Sequence, residues 1–149
     1  ILYAILESIE EKIDDILDPD DLKDFLKTNP SQKELTRFNT ERITECIRVI
    51  ISEPIVIKLI FKDIVGIDEE VTDRVQKFLD YIVQVVQRDI EEIKKKGIYK
   101  KGLNPEVTAI MLIGAVMFMV YQFDRMDKDI LDKEVISSVV SNYLGGVSK

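Results

Sequence analysis

The chain has 149 residues, 46% of them hydrophobic and 33% charged, with a formal net charge of −7, one cysteine and no histidine. That length suits a single domain over residues 1–149 with a substantial core, and the composition excludes a disordered chain. The charge opposes direct binding of a nucleic-acid polyanion, while the lack of histidine beside a lone Cys46 removes disulfides, most zinc sites and histidine-based catalysis.

Taken in chain order, the first pattern is Leu2, Ile5, Leu6, Ile9, Ile13, Ile16 and Leu17, with acids on the opposite side, which predicts an amphipathic helix. It opens on Ile1 without a basic, cleavable leader, so a cytoplasmic location is expected, with further sequence upstream. The acids Asp18, Asp20, Asp21 and Asp24 lack calcium-loop spacing and read as a solvated face. Leu22, Phe25 and Leu26 form a short amphipathic turn ended by Asn29-Pro30. Ser31 and Glu34 then make a capping box leading into Leu35 and Phe38.

Asn39 or Thr40 is expected to cap a new helix with the stripe Ile43, Cys46, Ile47, Ile50 and Ile51, on which Cys46 reads as a packing residue. Pro54 interrupts it, and a helix restarting with Ser52 as cap carries Ile57, Ile60, Phe61 and Ile64 to a stop at Gly66. Asp68 caps the longest helix, whose stripe runs from Val71 through Phe78, Ile82 and Val86 to Ile93, with lysines 94 to 96 complementing the dipole before Gly97.

Asn104, Pro105 and Glu106 announce the next helix, in which Ala109 to Tyr121 is an unbroken run of thirteen apolar residues, counting Gly114. The run is shorter than the roughly 18 to 20 apolar residues of a membrane span and its flanks are charged, so no membrane association is expected. One face holds Val107, Met111, Gly114, Phe118 and Tyr121; another holds Ala109, Leu112, Ile113, Val116, Val120 and Phe123. The chain's own helices can cover one face, and the second needs a ligand cavity or a second copy. Asp132 caps a last helix with Val135, Val139, Val140, Tyr143 and Leu144, ended by Gly145-Gly146.

The stretches TERITECIRVIISEPIVIKLIFKDIVG from Thr40, EEVTDRVQKFLDYIVQVVQRDIEEIKKKGIYKKGLNPEVTAIMLIGAVMFMVYQF from Glu69 and LDKEVISSVV from Leu131 resemble the ligand-binding half of tetracycline-repressor-type (TetR family) transcription regulators. The opening ILYAILESIEEKI is similar to that family's first connecting helix, just past its helix-turn-helix. The resemblance implies an all-α antiparallel bundle whose last two helices pair with their twins in a four-helix dimer interface. It also implies DNA binding only through a missing N-terminal domain, and a small-molecule effector held among the preceding helices.

On this reading the chain is a sensor and dimerisation domain, not an enzyme; the competing reading is a helical carrier or enzyme for apolar molecules. A lipophilic effector is expected against Ile50, Ile57, Phe61, Phe78, Ile82, Met111, Phe118, Tyr121 and Gln122, because Met and aromatic side chains line adaptable cavities. The homodimer interface is expected at Gly114, Ala115, Val135, Val139 and Tyr143. No cofactor, metal or catalytic residue is assigned.

Overall fold

The computed structural model describes residues 1–63 and 68–149. It is all-α: α1 Leu2–Ile16, α2 Pro19–Lys27, α3 Gln32–Ile51, α4 Pro54–Lys58, α5 Glu69–Lys95, α6 Pro105–Arg125 and α7 Lys133–Val147. No strand occurs among the described residues, where Tyr99 and Ser148 form an isolated antiparallel bridge.

Most helix starts are built as the polar signals require. Asp68, Asn104 and Asp132 accept hydrogen bonds from the amides of Glu70, Val107 and Glu134, at 2.9, 3.1 and 2.9 Å, satisfying donors that a helix leaves orphaned. Asp18 does the same for α2 through the Asp20 amide at 2.7 Å, so part of the acidic run serves as a helix start. Ser31 accepts from the Glu34 amide at 3.2 Å and donates to the Glu34 carboxylate at 3.0 Å. Asn104→Ala should cost about 1 kcal/mol, read as a lower urea midpoint with unchanged slope. An unchanged midpoint would show that the cap contributes nothing.

Three boundaries differ from the sequence reading. The break expected at Asn39 or Thr40 is absent, because both side chains bond back along the helix: Asn39 Nδ2 to the Leu35 carbonyl at 3.0 Å and Thr40 Oγ1 to the Thr36 carbonyl at 2.7 Å. The helix begun by Ser31 therefore continues to Ile51. Ser52 closes α3, donating to the Val49 carbonyl at 2.6 Å, and Glu53 precedes α4 without a side-chain cap. Beyond Lys58 the chain widens into a π-turn over Leu59–Asp63, a form frequent at functional sites. The stop expected at Gly66, and Ile64 before it, lie outside the described residues. At the far end, Gly145 and Gly146 stay helical and α7 reaches Val147, whose carbonyl accepts from the Lys100 amide at 2.9 Å. The segment after α5 thus takes up a carbonyl that the helix end would leave free. That segment turns at Gly97, whose φ of 84° suits glycine.

Packing divides the interior into two apolar clusters. One gathers Leu6, Ile9, Ile13 and Leu17 of α1 with Val75, Phe78, Ile82 and Val85 of α5. The other gathers Ile47 and Ile50 of α3, Ile90 and Ile93 of α5, Met117 and Val120 of α6, and Ile136, Val140 and Leu144 of α7. Ile60, Val86 and Ile113 pack against both and mark the seam.

α6 has two unlike sides. Ala109, Met117 and Val120 are buried, whereas Val107, Ile110, Met111 and Phe118 are exposed, Met111 by 69%. Sequence counting stopped at the uninterrupted apolar run, but the whole helix is long and apolar enough to cross a bilayer by length and composition. Here its principal neighbour is α5, while that of α7 is α3.

Candidate functional site

The seam between the clusters contains a cavity of about 90 Å³. Its apolar walls include Ile13, Ile50, Ile82, Val86, Ile113 and Met117, contributed by α1, α3, α5 and α6. The volume is below the ~300 Å³ at which drug-sized ligand pockets begin, so the space as it stands admits a short or compact molecule.

Asn39, Arg42, Asp89 and Tyr143 also border the cavity, although its surface is almost wholly apolar. Arg42 on α3 and Asp89 on α5 form a forked ion pair: Nη1 donates to Oδ2 at 3.1 Å and Nη2 donates to Oδ1. Their side chains are only 9% and 12% exposed. The Phe38 ring lies 4.8 Å from the guanidinium and is itself stacked on Phe25 at 3.9 Å, so aromatic surface backs the charge. A buried pair of this kind gains little over well-packed apolar residues of the same volume, because desolvation offsets the attraction. Stability alone therefore gives no reason for placing it beside a cavity.

Tyr143 packs edge-on against Tyr99 with ring centroids 6.2 Å apart. Burial raises both; Tyr143 is pushed up to about 12 and stays a neutral phenol. Burial likewise pushes the Cys46 thiol on the cavity wall to about 12 from 9.0, against the opposing pull of Arg42. An elevated thiol is a poor nucleophile. The folded chain should react with Ellman's reagent at pH 8 much more slowly than the urea-unfolded chain, since burial holds the thiol protonated. Comparable rates would show the thiol to be solvated. Because the unfolded thiol loses its proton first, stability should also fall as pH rises above 9.0.

The structure distributes the expected site residues over several places. Ile50 and Ile82 line the cavity. Ile57 and Tyr121 line a second, more polar cleft of about 190 Å³ with Lys58, Arg125 and Lys128. Phe61 stacks on Tyr121 at 4.8 Å, with Phe118 at 6.2 Å from Phe61, and Gln122 accepts from Arg125 Nη1 at 2.9 Å. Phe78 is wholly buried in the α1–α5 cluster, and Met111 and Phe118 stand on the outer side of α6, outside the cavity lining. Of the expected interface residues, Gly114 and Ala115 are exposed, Val135 and Val139 are half-buried, and Tyr143 lines the cavity. A Cβ built on Gly114 meets nothing within 4 Å, so nothing in the single chain requires glycine there.

The buried Arg42–Asp89 pair beside the cavity was missed in the sequence, although a signal existed. Arg42 falls one turn before Cys46 on the inward side of α3, and Asp89 falls one turn before Ile93 on that of α5. Opposite charges at inward positions of two long amphipathic helices are a legible pattern. No family model, curated protein or solved structure matches this chain.

Proposed function

We propose that the chain is the effector-sensing and dimerisation domain of a tetracycline-repressor-type transcription repressor. The single observation that carries this reading is the division of α6: Leu112, Ile113, Val116 and Met117 face the cavity, while Val107, Met111, Gly114, Ala115 and Phe118 form an exposed stripe. One helix therefore joins a ligand space to a surface of the kind that a second copy covers. Glycine in an exposed helix interior costs about 1 kcal/mol relative to alanine, and close approach of a twin helix at Gly114 offsets that cost.

In this reading the half-buried Val135 and Val139 of α7 complete the two-fold contact, as the family resemblance implies. A small lipophilic effector entering the seam presses on the inner side of α6 and favours one arrangement of the paired helices. The coupling equals the effector's differential affinity for the two arrangements. DNA is contacted by a helix-turn-helix domain preceding Ile1, since a chain of net charge −7 is poorly suited to do so. The domain performs no catalysis and works in the cytoplasm.

Thermal melts against a panel of short lipophilic molecules test the sensing role. A ligand at 100 times its Kd stabilises by about 2.7 kcal/mol, which raises Tm by several degrees. A panel that leaves Tm unmoved throughout would remove the sensing role.

A further inference from the structure

We infer that the effector is a compact hydrocarbon with no polar head group, a single aromatic ring or an alkane of about that size, held in the seam cavity by apolar contact alone. This rests on the seam cavity being the sensing site proposed above.

Three observations lead there. First, the surface of the cavity is almost wholly apolar, although charged residues border it. A hydroxyl, amide or carboxylate carried into such a space leaves water without gaining a partner, and that loss counts against every ligand with a head group. Second, the bordering polar groups are engaged within the protein. Arg42 and Asp89 hold each other in a fork, and Asn39 Nδ2 donates to the Leu35 carbonyl at 3.0 Å. Among the described residues, the one fully buried side-chain nitrogen or oxygen without a partner is Ser148 Oγ, which does not line the cavity. No orphaned group therefore calls for a head group to satisfy it.

Third, the size and the walls suit one kind of occupant. Water fits poorly among Ile13, Ile50, Ile82, Val86, Val116 and Met117, because an ordered water needs about two to four polar partners. Apolar cavities of about 150 Å³ take benzene or xenon, so a space of about 90 Å³ suits a single ring and not a fused pair. The wall atoms gain dispersion contacts only from an occupant that follows their outline. Met117, unbranched and with several rotatable bonds, is the wall side chain best able to adjust to that outline. The cavity thus selects against polar analogues without bonding to them: their head groups find nothing in it to replace water.

The test titrates toluene, phenol and naphthalene into the chain labelled at isoleucine methyl groups, read at Ile13, Ile50 and Ile82. Toluene and phenol have nearly the same shape and differ by a methyl against a hydroxyl, so toluene should bind at least tenfold more tightly. Naphthalene, despite its larger apolar surface, should bind more weakly than toluene. Val86→Phe, which puts a ring into the space, should lower toluene affinity at least tenfold. Should that variant fail to fold, Val116→Phe fills the space from α6. Phenol within tenfold of toluene would overturn the headless ligand, and naphthalene binding as tightly as toluene or more so would overturn the compact one, each leaving the cavity as a binding site. Toluene affinity undiminished by the ring-filling substitution would place binding elsewhere and overturn the assignment to this cavity. Methyl resonances unmoved by all three compounds would overturn the site itself, and with it the sensing role.

Discussion

Asp89→Ala is expected to destabilise the chain by about 3–5 kcal/mol, because it strands the Arg42 guanidinium, whose side chain is only 9% exposed, without its counter-charge. The loss should appear as a large drop in the urea midpoint, and in a small domain it approaches the whole margin of stability. The contrasting variant is Arg42→Met with Asp89→Leu, which removes both charges together. Its expected cost is within about 1 kcal/mol of zero, with a gain equally compatible, because the pair's attraction and its desolvation nearly cancel. The two results together separate a pair that is costly to break from one that the fold needs. An Asp89→Ala loss below about 1 kcal/mol would show that water reaches the guanidinium.

Ala115→Glu carries the second large effect, and it acts on association alone. Ala115 is exposed in the single chain, so a glutamate there meets water, and glutamate is a good helix former. Folding of the isolated protomer should change by no more than about 0.5 kcal/mol. In a two-fold dimer through the α6 stripe the same substitution buries two like charges near the axis, one from each copy. At about 3 kcal/mol or more for an unpaired buried charge, the dissociation constant should rise at least a hundredfold. Sedimentation should then find a folded monomer with undiminished helical circular dichroism. A dimer of unchanged affinity would place Ala115 outside the contact.

The fold was legible where side chains do a single job. Asp68, Asn104 and Asp132 were readable as caps because each sits three residues before the first apolar position of a helical pattern, with an acid in the first turn between. Asn39 and Thr40 misled because residue type alone does not separate a cap from a side chain bonding to a carbonyl one turn back. The two sides of α6 were also legible, since helical spacing sorts Val107, Met111, Gly114 and Phe118 from Leu112, Ile113 and Val116. Which side lines a cavity was not legible, because that depends on where α3 and α5 lie. Periodicity within one helix holds no information about its neighbours. Met111 and Phe118 were accordingly expected at the ligand and stand on the exterior. The ion pair's members stand out as inward charges, but Arg42 and Asp89 are 47 residues apart, so the sequence does not show that they meet.

Static light scattering of the wild-type chain at micromolar concentration tests most directly whether a second copy covers the outer side of α6. The expected mass is twice the chain mass of 17.2 kDa, falling toward a single chain with Ala115→Glu. A wild-type mass of one chain would contradict the dimer and leave the α6 stripe uncovered.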